Sequence, residues 1–256
     1  MPARVFLIRH GETDWSLGGK HNSTTDIPMS STGEKQVERT REVFVGEGRA
    51  IDPKNVTRIY CSSRNRTRRT AEILRLGVQH HQYFHDQSSG ETTSTSKLQA
   101  TGEMAESAIQ VTPSLEEWNY GEYEGMTLGD VARVRGQAGQ GGQKWNIWKD
   151  GCPGGETPEQ VSDRVDVLIK EIKGVMEGTA ATWPGGKTVP HVVQEPRDVV
   201  CIAHGHILAT FALRWLGRSL DQGTRVLFEP AGVAILGFEH DDLEEPALLL
   251  GRRSQV

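Results

Sequence analysis

Four basic residues stand at or just beyond the ends of short apolar runs. Arg9 and His10 follow Val5–Ile8, Arg66 lies five residues past the run Thr57–Cys61, and His204 follows Val199–Ala203. Their types suit one chemistry, the transfer of a phosphoryl group through an enzyme nucleophile. That reaction needs an oriented neutral nucleophile, fixed positive charge around the phosphoryl oxygens, and an acid for the leaving oxygen. An imidazole with a pKa near 6.5 is a good nucleophile at neutral pH. Guanidinium groups stay charged and present a planar fork to phosphate oxygens. A backbone after Gly11, free of a side chain, can approach an anion closely. A second histidine, when protonated, can donate to the transferring oxygens. Taken singly each residue has a bland reading: a packed histidine, or half of a salt bridge. Their shared placement at strand ends is what points to a phosphate site.

The elements that must position them read as alternating strands and helices. Val5–Ile8 is a buried strand of a parallel sheet. Ser31-x-x-Glu34 is a capping-box pattern that opens a helix through about Val45. Thr57–Cys61 is a second strand. Ser62 or Ser63 caps the helix that follows, which carries Arg66, Thr70, Ile73 and Leu74 and stops near Gly77. Ala108–Val111 resumes as a strand. Thr157-Pro158-Glu159-Gln160 starts a helix whose Val161, Val165, Leu168, Ile169, Ile172 and Val175 line one face. Val199–Ala203 is a strand, Ile207–Leu216 an apolar helix ended by Gly217, and Gly232–Gly237 the last strand. The pattern predicts an α/β fold of three layers, α/β/α, around a mostly parallel sheet. Ligands bind such sheets beyond the carboxyl ends of the strands. A single domain over 1–256 is expected, with polar loop insertions near 79–107 and 178–197, the first rich in serine and threonine.

Bulk properties narrow the classes. No apolar run approaches the roughly 20 residues of a membrane helix, and the apolar start of the chain is too short for a signal peptide. Three cysteines without a Cys-x-x-Cys pair argue against a disulfide framework and against structural zinc. A reducing, cytoplasmic setting is expected, with the sequons at Asn22, Asn55 and Asn65 unused. The net charge of -5 argues against a general nucleic-acid surface. The local cluster Arg64, Arg66, Arg68, Arg69 and Arg75 reads either as a solvated helix face or as part of the phosphate site.

Leu7-Ile8-Arg9-His10-Gly11-Glu12-Thr13 resembles the signature of the histidine phosphatase superfamily, which includes the cofactor-dependent phosphoglycerate mutases. Four further motifs follow in order: Ser62-x-x-x-Arg66-x-x-x-Thr70, Leu115-Glu116-Glu117-Trp118-Asn119-Tyr120-Gly121, Gly155-Glu156-Thr157 with Arg164, and Ala203-His204-Gly205. The resemblance implies a phosphoglycerate mutase-like fold and a phosphohistidine on His10, with Arg9, Arg66 and His204 around the phosphoryl group. It also implies Glu117 as proton donor; the residues alone do not separate Glu117 from Glu116. Burial against Trp118 and Tyr120, and the anionic substrate, would raise the pKa of such a donor. Gly11, Thr13, Asn22, Ser23, Gly205, His206 and Trp145 are the expected substrate contacts. Trp145 and Trp148 read equally as core residues or as neighbours of a sugar.

The stretch from Gly125 to Gly154 is short beside the site-covering insertion of the mutases, which favours discharge of the phosphohistidine by water. Glu117-Trp118-Asn119-Tyr120-Gly121-Glu122-Tyr123-Glu124-Gly125-Met126, Trp145-Asn146-Ile147-Trp148-Lys149-Asp150-Gly151-Cys152 and Ala203-His204-Gly205-His206 resemble the fungal sedoheptulose-1,7-bisphosphatase branch. Asn22-Ser23 departs from the Thr-Gly common there, and the stretch between Gly217 and Phe228 is shorter. The resemblance therefore implies a phosphatase of a small sugar phosphate or bisphosphate, with sedoheptulose 1,7-bisphosphate first. The alternatives are another small phosphorylated metabolite, a phosphoglycerate mutase, or a non-catalytic phosphate-binding module. Neither a metal nor a cofactor is expected, nor a nucleic-acid or membrane partner; a homo-oligomer is possible.

Overall fold

The computed structural model describes residues 3–76, 84–86, 109–139, 144–177 and 198–251. Chain order runs β1 (Val5–Arg9), α1 (Asp14–Leu17), α2 (Ser31–Phe44), β2 (Val56–Cys61), α3 (Asn65–Leu74), β3 (Phe84–Asp86), β4 (Ile109–Val111), α4 (Leu128–Gln137), α5 (Ile147–Asp150), α6 (Pro158–Glu177), β5 (Asp198–Ala203), α7 (Gly205–Trp215), β6 (Val233–Phe238) and β7 (Pro246–Leu249). Among the described residues the strands form one sheet in the order β3-β4-β2-β5-β1-β6-β7. All neighbours from β3 to β1 pair in parallel; β6 is antiparallel to both β1 and β7.

The alternation of β1 explains the layering. Val5 and Leu7 point into a core built with α6 and α7, including Val165, Leu168, Ile172, Leu208 and Phe211. Phe6 and Ile8 point the other way, into a core with Val37 of α2 and with Ala71, Ile73 and Leu74 of α3. All four β1 side chains are fully buried, and each such side chain stabilises the fold by about 1.5–3 kcal/mol. The three-layer α/β/α architecture is thus the one the sequence pattern predicts. Every periodic position of α6 named above is buried, and Thr157 caps that helix reciprocally with Gln160, at 2.9 and 3.3 Å.

Several local expectations are corrected. The cap of α2 is Ser30, one residue before the expected Ser31; its Oγ accepts the Gly33 N–H at 3.0 Å. Neither Ser62 nor Ser63 caps α3. The Asn65 N–H is taken instead by the Asp26 carboxylate at 3.0 Å, because both serines are engaged elsewhere in the site. α3 ends at Leu74 with Arg75 in the left-handed region at φ 54°; Gly77 lies outside the described residues. Strand β3 falls within the span read as a polar loop, and it gains its pairing by lying parallel to β4 at the sheet edge. The remainder of 79–107, and 178–197, lie outside the described residues. Strand β7 was not foreseen, nor were α1, α4 and α5. Among the described residues, no helix is long and apolar enough to cross a membrane.

The strand order gathers the chemistry. Backbone bonds continue the ladders past the carboxyl ends: His10 N–H to Ala203 O at 3.0 Å, Ser62 N–H to Ile202 O at 3.1 Å, Thr112 N–H to Cys61 O at 2.9 Å. Four loops from four adjacent strands are therefore held in register where the basic residues stand. The loop after β1 is also pressed onto the start of α2. A Cβ on Gly11 would sit 2.2 Å from Gly33 O, and one on Gly33 would sit 2.2 Å from Glu12 O. Gly11 is thus required by this backbone contact, a different reason from the expected approach to an anion. Gly33→Ala should lower stability by about 2 kcal/mol or more, read as a shifted urea midpoint; an unchanged midpoint would show that the two backbones can part freely.

Candidate active site

His10 follows β1 and is buried. Its Nδ1 lies 2.6 Å from Gly11 O. A carbonyl only accepts, so Nδ1 carries the proton and Nε2 keeps its lone pair. Burial, then the guanidinium groups of Arg66 and Arg9, hold the His10 pKa well below the ordinary histidine value. A neutral imidazole with a defined free nitrogen is the form in which histidine attacks an electrophile.

Behind His10 lies a fully buried pair. The Arg66 Nε–H donates to His204 Nδ1 at 3.2 Å. His204 must then carry its proton on Nε2, which donates to Ser62 Oγ at 2.8 Å. The rings of His10 and His204 meet edge-on, 5.1 Å apart. Burial and the neighbouring Arg66 depress the His204 pKa well below its ordinary value. Nearby guanidinium charge opposes a second cation here, so His204 is held neutral. Arg66 itself has its pKa pulled down to about 10 by burial and so remains charged at neutral pH. Its other N–H groups reach Thr25 O, Asn22 O and Ser23 O at 3.2–3.3 Å.

Glu117 reaches the site from the loop after β4. Its Oε1 accepts from Trp118 N–H and Ile207 N–H, each at 2.9 Å, and its Oε2 accepts from His206 N–H at 3.1 Å. Two of these donors belong to the first turn of α7, where the helix dipole favours a carboxylate. Glu117 is buried, as expected, and its hydrogen-bond partners here are backbone N–H groups. Glu116 points elsewhere, accepting from Ser63 Oγ at 2.6 Å, so the structure separates the two glutamates. Glu117 is held by Arg164, which donates to Pro113 O, Ser114 O, Glu116 O and Glu117 O and pairs with Glu156 at 2.8 Å. Glu156 and Arg164 are visible in the sequence only as part of a motif; their role as a clamp on the acid loop depends on carbonyls the sequence does not mark.

A cavity of about 730 Å³ opens here. Arg9, His10, Thr13, Asn22, Glu117, Trp145, Gly205 and His206 are among its walls. Arg9 Nε and both polar atoms of the Asn22 amide are buried without partners, an arrangement suited to a polar ligand. Arg66, His204, Gly11 and Ser23 do not line the cavity. Arg66 and His204 back His10, and Gly11 is used in the Gly33 contact. Ser23 Oγ is turned onto Glu117 O at 3.1 Å while its N–H meets Glu124. Trp145 and Trp148 both line the cavity and both pack: Trp145 against His21 at 5.4 Å, Trp148 against Trp118 at 5.7 Å. Sequence reasoning missed Lys20, His21, Asn146, Arg225 and Phe228 in these walls. Only the motif around Trp145 hinted at any of them.

The arginine cluster divides between the site and the surface, where Arg75 is exposed. Arg64 lies 3.6 Å from Glu116, Arg66 is enclosed, and Arg69 pairs with Glu34 and Glu72. Among the described residues, the one group of three side chains at metal-ligand spacing, Glu239, His240 and Glu245, is exposed and contains no residue of this cavity.

An oriented imidazole, enclosed guanidinium groups and a carboxylate at one end of an α/β sheet define a phosphoryl-handling site. Residues 5–98 and 92–182 match the pattern of the histidine phosphatase superfamily, branch 1, and the chain belongs to that superfamily, whose members use a histidine nucleophile. The chain is 28% identical to the sedoheptulose 1,7-bisphosphatase of Saccharomyces cerevisiae, with 96% of this chain and 92% of that protein aligned. It is 30% identical to an acid phosphatase of Mycobacterium tuberculosis, over 93% of this chain and 87% of that one. Among solved structures, an open reading frame product of Mycobacterium tuberculosis superposes with a TM-score of 0.66 at 27% identity, covering 97% of this chain and 96% of that one. A mycobacterial glucosyl-3-phosphoglycerate phosphatase shares the fold, with a TM-score of 0.64 at 21% identity, covering 98% of this chain and 100% of that one.

Three histidines of the site, His10, His204 and His206, have pKa values lowered chiefly by burial. The unfolded chain takes up their protons below about pH 6.5 while the fold resists doing so. Stability contributed by their neutral forms is therefore present above pH 6.5 and lost as pH falls from there towards the folded-state values. The slope can reach about 4 kcal/mol per pH unit for three protons. Thermal denaturation between pH 7 and pH 5 should show this fall, and a flat Tm across that window would contradict the neutral assignment.

Proposed function

We propose that the chain hydrolyses the phosphate ester of a small phosphorylated sugar through a phosphohistidine on His10, with sedoheptulose 1,7-bisphosphate the leading candidate substrate. The observation that carries this reading is the tautomer of His10: Nδ1–H is held by Gly11 O, and Nε2 is left as the nucleophile. In the first step Nε2 forms a bond to phosphorus as the ester P–O bond breaks. Glu117 takes up a proton from solvent beside the substrate dianion, gives it to the leaving oxygen, and returns to the carboxylate that its three backbone N–H groups hold. Arg9 and Arg66 supply fixed positive charge near the phosphoryl oxygens. His204 stands behind His10, its Nδ1 accepting from Arg66 and its Nε2–H donating to Ser62 Oγ. In the second step water attacks phosphorus, Glu117 accepts its proton, and the N–P bond breaks to release inorganic phosphate and restore neutral His10. Thr13, Asn22, Gly205, His206 and Trp145 contact the rest of the substrate.

The sugar is supported by the shared motif runs and by the yeast relative that aligns over nearly the whole chain. A phosphoglycerate mutase of Protochlamydia amoebophila also aligns, at 22% identity; a mutase would return the phosphoryl group to a second substrate oxygen without releasing phosphate.

His10→Ala should abolish turnover and the acid-labile phosphoenzyme; near wild-type phosphate release would overturn the reading. Glu117→Gln should slow alkyl phosphates by roughly 10²-fold or more, and activated aryl phosphates, whose leaving groups need no proton, far less. Equal losses on the two classes in steady-state assays would remove Glu117 as the acid.

A further inference from the structure

We infer that the cavity contains a second anion subsite, formed by Lys20, Lys144 and Arg225, which takes the distal phosphate of a sugar bisphosphate. The inference deepens the phosphatase reading and rests on it for the identity of the first phosphate.

Three observations place these cations together. All three line the same cavity as His10 and Glu117. The ring of His21, next to Lys20, meets Trp145, next to Lys144, at 5.4 Å. Arg225 lies 5.6 Å above the Trp148 ring, and its Nη2 donates to Asn146 Oδ1 at 3.4 Å. Lys144 and Arg225 thus belong to or touch the segment from Lys144 to Trp148, and Lys20, its Nζ 5.7 Å from the Trp15 ring, joins the cavity wall beside His21.

Their place relative to the reacting end follows from contacts leading outward. The His206 N–H bonds Glu117. The His206 ring packs on Trp148 at 5.4 Å, and Trp148 carries Arg225. His206 also stacks over His21 at 6.5 Å, and His21 leads to Trp145 and Lys144. His21, Tyr120, His206 and Trp148 thus form a run of packed rings that leads from Glu117 to Arg225. A polyhydroxylated chain lying on this run would present one phosphate to each end.

Charge supports the same division. The protein as a whole has a formal charge of -5. The cavity walls nevertheless hold Arg9, Lys20, Lys144 and Arg225 against the single carboxylate of Glu117. Among the described residues, none of the three outer cations has a carboxylate within ion-pair distance. An isolated surface lysine is ordinarily solvated and means nothing. Three cations without a carboxylate partner among the described residues, lining one cavity whose other end suits phosphate, form a field that favours a second dianion.

The test is calorimetric binding to the His10→Ala chain, which does not depend on turnover. The ligands are sedoheptulose 1,7-bisphosphate and sedoheptulose 1-phosphate, which differ only in the distal phosphate. The bisphosphate should bind roughly tenfold tighter or more, and the ratio should shrink with added salt. Adding Lys20→Ala, Lys144→Ala and Arg225→Ala should bring the ratio close to one, whereas Lys20→Arg with Lys144→Arg should keep it. Equal binding of the two ligands to the His10→Ala chain, no binding of the bisphosphate, or a ratio unchanged by the three alanine substitutions would each overturn the subsite. Failure of the phosphatase reading would appear separately, as no phosphate release by the wild-type chain from any ester.

Discussion

The site depends on one guanidinium. Arg66 is wholly enclosed, and removing a charge from water costs several kcal/mol unless its donors are matched. Here they are matched by three backbone carbonyls of the loop 22–25 and by His204 Nδ1, with Asp26 at 3.8 Å. Each partner is constrained in return. The loop that carries Asn22 into the cavity wall is tied to α3. His204 is confined to one tautomer and pointed at Ser62. His10, within the field of the same charge, is held neutral. The nucleophile thus owes its neutral state to its burial and, after that, to a residue that does not line the cavity.

That arrangement also gives a reason for the empty site to favour a phosphoryl dianion. Arg9 and Arg66 stand near two imidazoles that cannot easily become cations beside them. An anion entering at His10 relieves this, because it compensates the guanidinium charge. The acid is installed by different means. Glu117 sits on the first turn of α7, and the backbone of its own loop is clamped by Arg164 and Glu156. Imidazole, guanidinium and carboxylate thus arrive on separate loops, and the sheet register beyond β1, β2, β4 and β5 brings them to one end of the sheet.

Much of this was legible in the sequence, for a physical reason. Buried parallel strands are continuous apolar runs, and ligands bind at their carboxyl ends, so Arg9, His10 and His204 announce themselves by position. The α6 face is equally plain because its period is unbroken. What was not legible depends on partners distant in sequence. Gly33 needs to be glycine because of Glu12 O, and no local pattern says so. Ser30 displaces Ser31 as a cap through the path of the preceding chain. Ser23 was expected beside a substrate from the resemblance of its loop; its hydroxyl donates to Glu117 O. Lys20, Lys144 and Arg225 are single charges in unrelated segments, brought together by the packing of His21, Trp145 and Trp148.

The account turns on which nitrogen of which histidine becomes phosphorylated. The phosphoenzyme should be trapped from single-turnover mixtures quenched in alkali, digested, and the labelled peptide characterised by mass spectrometry and phosphorus NMR. With Nδ1–H held by Gly11 O, the phosphoryl group must be found on His10 at Nε2. A phosphate linked through Nδ1, or carried by any other residue, would contradict the account.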